Sequence, residues 1–198
     1  AENAASADND LERNQSLAQM TSGVDRSTRI VSQLLALARL EHQKKVIREE
    51  VDVLAISRSM IADILPLAWK KNVEISLDVD DRLPWYFCIE SNHLEILLQN
   101  LISNAIKFAP SNSLIQVIWT RSEKNIELNV IDAGKGINEE QEQRLSERFY
   151  RSGEVEGAGL GLSIVKNIID KYRGTLFFKN CSPHGLNVHV SLPLEKTT

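Results

Sequence analysis

The sequence is short of the features that would assign it to several common classes. It has two cysteines, Cys88 and Cys181, with no CxxC and no Cys/His ligand spacing, so neither a disulfide framework nor a structural zinc site is written into it. Both cysteines fall in apolar, strand-like runs, which predicts buried free thiols and a reducing compartment. No run approaches the roughly 18 apolar residues of a membrane span, and no signal peptide opens the chain. A net charge of −4 argues against a large nucleic-acid footprint. No GxxxxGK[ST] occurs, which excludes a P-loop. No Rossmann fingerprint occurs either, because Leu162 stands where the last glycine of GxGxxG belongs.

What remains is the composition of an ordinary globular chain, 198 residues with 42% hydrophobic and 25% charged side chains. Its pattern divides it in two. Residues 1–10 read as a helix tail running into a polar turn. From about 10 to 42, Leu17, Met20, Val24, Val31, Leu34 and Ala38 recur at alternating three- and four-residue steps, with Ser27 in the one polar slot. That is a heptad seam, and Ile30, Leu35 and Leu37 widen it toward a four-helix bundle. A charged linker, HQKKVIREEVD, follows. The expected division is residues 1–45 as an incomplete helical hairpin, 46–52 as linker and 53–198 as a second domain.

The second domain reads as mixed α/β. Residues 53–71 are helical, with Pro66 predicting a kink or early stop. VEISLDV and WYFCIE are strands, and Asn92 with Glu95 three residues on predicts a capping-box start for the next helix. SLIQVIWTRS and NIELNVID form a hairpin. NEEQEQRLSERFY is a short polar helix, LGLSIVKNIIDKY an apolar one, and TLFFKN and LNVHVSLP are the last strands. Antiparallel strands with helices grouped between them predict a two-layer α/β sandwich.

Within the apolar run HLEILLQNLISNAIKF that follows Asn92, Asn100, Asn104 and Lys107 share one helical face, where buried polar groups are costly without partners. Two glycine clusters sit at element junctions, Asp132-Ala133-Gly134-Lys135-Gly136-Ile137 after a strand and Gly157-Ala158-Gly159-Leu160-Gly161-Leu162 before a helix. Such junctions let backbone approach a ligand, and a helix N-terminus attracts phosphate. The residues alone also fit blander roles: helix amides bonded to a strand, a solvent-facing Lys107, a core Phe108, a turn aspartate.

In order and spacing these segments resemble the motifs of sensor histidine kinases. NLISNAIKFAP looks like their N box, DAGKGI the first glycine box, ERFYR the F box and GAGLGLSIV the second glycine box. GVDRSTRIVSQLLALARLE is similar to the second helix of their dimerisation hairpin. Among subfamilies the match leans to proteobacterial sensors of the QseC and PmrB type. The resemblance implies a Bergerat-type ATP-binding fold of the gyrase, Hsp90, histidine kinase and MutL group. It implies Mg²⁺-ATP as cofactor and transfer of the γ-phosphoryl to a histidine, then to an aspartate of a response-regulator receiver domain. It also implies a homodimer through the hairpin and a cytoplasmic placement in a bacterial inner-membrane parent, with the chain as a piece cut upstream.

Carried over by position, the resemblance makes Asn104 the Mg²⁺ ligand. Asn100 stands where related ATPases carry a glutamate base, and an amide takes no proton at neutral pH, so transfer is favoured over hydrolysis. Lys107 would approach the phosphates and Phe108 the nucleotide. Asp132 would accept from the adenine amino group, with Gly134 and Gly136 beside the base. Arg151 would contact phosphate, while Phe149 and Tyr150 would anchor a mobile lid over 137–158. Gly157, Gly159, Leu160 and Gly161 would line the phosphates, with Leu160 packing. Ala158 replaces the family's usual hydroxyl residue, which would weaken affinity. No HExxTP-like acceptor motif is present, and His42, His93, His184 and His189 read as surface or strand histidines. A hydrolysing ATPase of the same fold and a module that only dimerises are the competing readings.

Overall fold

The computed structural model describes residues 48–80, 84–145, 150 and 159–194, together with positions within a helix between 13 and 38. The expected helix tail at 1–10, most of the linker, and Phe149, Arg151, Gly157 and Ala158 lie outside the described residues. Every described position from Arg13 to Leu17 and on to Ala38 is helical. The seam residues Leu17, Met20, Val24, Val31 and Leu34 are all exposed, Val24 by 64%.

The remaining elements are β1 (Glu49–Asp52), α1 (Val53–Lys70), β2 (Val73–Asp78), β3 (Tyr86–Ile89), α2 (Ser91–Phe108), β4 (Ser113–Arg121), β5 (Asn125–Ile131), α3 (Glu139–Arg144), α4 (Gly161–Lys171), β6 (Thr175–Asn180) and β7 (Leu186–Pro193). Five strands form one sheet in the order β2-β4-β5-β7-β6, with β2 parallel to β4 and every other pairing antiparallel. Alternation along the strands buries one face: Ile115, Val117 and Trp119 of β4, Ile126, Leu128 and Val130 of β5, and Val188, Val190 and Leu192 of β7. Against that core α2 presents Leu94, Leu97, Leu98, Leu101, Ile102 and Ile106 at helical spacing. Helices α1 and α4 flank α2 on either side. The two-layer α/β sandwich is therefore observed.

Four local expectations change. The end of the charged linker is strand β1, whose Val51 pairs with Phe87 of β3. Pro66 lies inside α1 and does not stop it, since the buried face continues through Ala68 and outweighs one lost hydrogen bond. Helix α2 starts at Ser91 with Glu90 as N-cap and no side-chain cap, so the Asn92 capping box does not form; the Glu90 carbonyl accepts from His93 and Leu94 instead. Cys88 and Cys181 are free but only half-buried, because Cys88 sits on the four-residue strand β3 and Cys181 lies just past the end of edge strand β6.

His93 is neither a surface nor a strand residue. It is 2% exposed, with Nδ1 2.8 Å from the Tyr172 hydroxyl and its ring edge-on to Tyr172. The same hydroxyl accepts from the Glu90 N–H at 3.0 Å. Burial pushes the imidazole below its ordinary value and the phenol up to about 12, so both stay neutral and pin α2 to the end of α4.

A second buried polar link ties α1 to the sheet. The fully buried Ser57 donates to the Val53 carbonyl at 2.7 Å and accepts from Trp119 Nε1 at 3.0 Å. Ser57→Ala strands the indole N–H and should cost about 1–3 kcal/mol, seen as a lower urea midpoint with unchanged slope. Adding Trp119→Phe should recover part of that loss, because no buried donor is then left unpaired.

Candidate functional site

The polar face of α2 points at the start of α4. Asn100 is buried, and Asn104 and Lys107 are half-buried. Asn100 Nδ2 donates to the Ile96 carbonyl at 2.7 Å, so the protein satisfies part of this amide. Asn104 makes no side-chain hydrogen bond among the described residues. Gly161, the first residue of α4, faces both: a β-carbon there would sit 2.9 Å from Asn100 Oδ1 and 3.5 Å from Asn104 Nδ2. Any larger residue there would push the Asn100 amide aside. The N box and the second glycine box thus meet in space, 61 residues apart in number between Asn100 and Gly161.

Helix α4 opens without a side-chain cap, behind Leu160. Its first N–H groups lack carbonyl partners within the helix and carry the positive end of its dipole toward the asparagines. Leu160 is fully buried, so its side chain packs as read, and its carbonyl accepts from the Ser163 hydroxyl and the Ile164 N–H. Gly159 just before it has φ +70°.

At the other end of α2, Lys107 Nζ lies 5.1 Å from the ring centroid of Phe108, itself 43% exposed. Phe108 is thus open to a ligand and not core. The aromatic holds the ammonium by a cation–π contact worth about 0.5–1 kcal/mol at an exposed site. Lys71, which no sequence motif marks, donates to the carbonyls of Ile106 and Lys107 at 2.8 and 2.6 Å and so caps α2.

Asp132 follows β5 and is 6% exposed. Its Oδ1 accepts from the Gly134 N–H at 2.7 Å and the Leu186 N–H at 3.3 Å, while Oδ2 makes no hydrogen bond among the described residues. Gly134 packs against the Phe108 carbonyl, where a β-carbon would come within 2.9 Å, and this joins the first glycine box to the N box. Gly136 has φ +71°, a conformation that favours glycine. Tyr150 stacks under the Arg144 guanidinium at 4.6 Å. Arg151 and Gly157 lie outside the described residues. The site residues that local reading missed, Lys71, Asn180, Gly185 and Leu186, act through partners distant in sequence and carry no local signal.

Burial raises the Asp132 carboxyl above its ordinary range, against the opposing pull of the two backbone N–H groups and of Lys71. Between the ordinary and the raised value the folded protein holds a proton that the unfolded chain releases. Stability therefore falls as pH rises through that window, and the whole loss is present above it. Asp132→Asn keeps an oxygen for Gly134 and Leu186 and removes the charge. It should melt higher than the parent at neutral pH and lose this component of the acid-side slope, as followed by thermal unfolding across pH.

Residues 89–196 match the family described as histidine kinase-, DNA gyrase B- and HSP90-like ATPase. The sensor protein QseC of Salmonella typhimurium is 33% identical over 193 residues, covering 94% of this chain and 41% of that protein. The chain thus spans about two fifths of that relative's length. A mycobacterial sensor histidine kinase, MprB, superposes with a TM-score of 0.65 at 27% identity over 74% of this chain and 97% of that one. Full-length ShkA in complex with AMPPNP shares the fold, with a TM-score of 0.80 at 23% identity over 94% of this chain and 40% of that one. The chain belongs to the histidine kinase-, DNA gyrase B- and HSP90-like ATPase family.

Proposed function

We propose that this chain binds Mg²⁺-ATP and is the catalytic portion of a two-component sensor histidine kinase. The γ-phosphoryl group would pass to a histidine in a motif that these 198 residues do not contain, and then to an aspartate of a response-regulator receiver domain. The observation that carries the reading is the meeting of Asn100 and Asn104 with Gly161, which sets an amide with no partner among the described residues against a helix N-terminus that has no side-chain cap. The complex of ShkA with an ATP analogue supports the choice of nucleotide.

Each residue has a role that its chemistry allows. Asp132 Oδ2 accepts from the adenine amino group, with Gly134 and Gly136 lying along the base and Phe108 covering it. The N–H groups that open α4 bind phosphate oxygens, with Gly159 just before them and Gly157 assigned to the same role from its motif. Lys107 and Arg151 offset charge that develops on the phosphoryl group. Asn100 cannot take a proton from water, which favours transfer to a side chain over hydrolysis.

The donors fit Mg²⁺. A neutral amide oxygen at Asn104 beside a phosphate-binding helix start suits an ion that keeps most of its shell as water and phosphate oxygen. When bound, the ion neutralises phosphate charge. The exposed seam at Leu17, Met20, Val24, Val31 and Leu34 suits a second copy of the chain, whose matching stripe would bury it in a helical bundle. We place the kinase portion at residues 53–198 and the hairpin portion at 1–45, in the cytoplasmic part of a membrane-anchored parent. No helix among the described residues is long and apolar enough to cross a membrane.

Asn104→Ala should lower Mg²⁺-ATP affinity roughly tenfold to a hundredfold with an unchanged circular dichroism spectrum and melting temperature, as read by titration calorimetry. Equal affinity in the variant would sink the assignment. Steady-state phosphate release from ATP should be slow, whereas rapid turnover would favour a hydrolysing ATPase.

A further inference from the structure

β6 ends at Asn180, outside every motif discussed above. Its side-chain amide acts as a short piece of backbone. Oδ1 accepts from the Ile137 N–H at 2.9 Å, and Nδ2 donates to the Ile137 carbonyl at 2.7 Å. Both bonds go to one residue, the last of the glycine turn that starts at Asp132. The fit is close, because a β-carbon on Gly136 would overlap Asn180 Oδ1.

The same hairpin holds the other end of the turn. The Leu186 N–H donates to Asp132 Oδ1, and the Leu186 carbonyl accepts from the Asp132 N–H at 3.0 Å. Gly185, at φ +121°, passes so near the Asp132 carbonyl that a β-carbon would overlap it. Residues 132–137 are thus clamped at both ends, by Leu186 and by Asn180. The clamp orients the carboxylate, whose Oδ2 makes no hydrogen bond among the described residues.

We propose that Asn180 is a positioning residue that holds Asp132 for reading a purine with a 6-amino group, and so sets adenine over hypoxanthine. This rests on the nucleotide-binding reading above. A carboxylate accepts from an amino N–H at that position and repels a carbonyl oxygen there. The discrimination depends on where the carboxylate points, and a turn loosened at Ile137 lets it drift. Asn180 touches no base atom; it acts through the turn.

The test compares affinities for Mg²⁺-ATP and Mg²⁺-inosine triphosphate in the 198-residue chain, with melting temperature alongside. Asn180→Ala should lose about three- to tenfold in ATP affinity, the worth of one or two hydrogen bonds, and little in inosine triphosphate affinity. The ratio should shrink toward that of Asp132→Asn. Asn180→Asp, which keeps the acceptor but turns a second oxygen on the Ile137 carbonyl, should shrink it as well and supplies the answer if the alanine variant does not fold. Gly136→Ala and Asn180→Ala should be less than additive on the ratio, since they disturb one contact. A lower melting temperature with the parent's ratio in both Asn180 variants would make the residue merely structural and overturn the proposal. If the parent fails to bind ATP, or Asp132→Asn keeps its discrimination, the nucleotide reading itself fails. That result differs from one in which Asp132→Asn loses discrimination and the Asn180 variants do not.

Discussion

A β-carbon at Gly161 would stand 2.9 Å from Asn100 Oδ1, so hydrogen at this position lets α4 meet the polar face of α2 without displacing the Asn100 amide. Everything else in the site is arranged around that approach. It brings to one place the first N–H groups of an uncapped helix and an amide without a hydrogen bond among the described residues, an arrangement suited to a polyanion and its counter-ion. Behind the site the two helices are locked by a neutral, buried His93–Tyr172 pair, which keeps the approach close without placing a charge in the core.

The other half of the site works against stability. Asp132 is kept in a buried position where its charged form is disfavoured, and two backbone N–H groups occupy one of its oxygens without offsetting the burial. Lys71 sits near enough to be felt by the carboxylate, yet spends its donors on the end of α2. A group held at such a cost suits recognition better than packing, since a ligand donor returns part of what burial takes.

Legibility in the sequence followed the range of the interactions. β6 and β7 were readable to the residue because alternation and flanking turns are local. The N box and the glycine turns at 132–137 and 159–161 stand out in the sequence because each is a run of a few residues whose types are demanded by backbone shape or polarity. The start of α2 was misread because Glu90 caps through its carbonyl, which any residue offers. His93 was misread because its partner, Tyr172, lies 79 positions away. β1 reads as linker in the sequence because a four-residue charged strand shows its nature only when β3 is beside it.

By itself the sequence determined the alternation of helices and strands, the polar face of α2, the two glycine turns and, through their order, the family. These depend on spacing within a few residues, which the chain carries whatever its final shape. Tertiary structure alone decided that β2 runs parallel to β4, that β7 inserts between β5 and β6, and that Asn180 and Leu186 grip the turn after β5. Hydrogen bonds between residues 43 and 54 positions apart leave no local trace, because an amide or a backbone N–H becomes specific only when folding brings its partner within 3.5 Å.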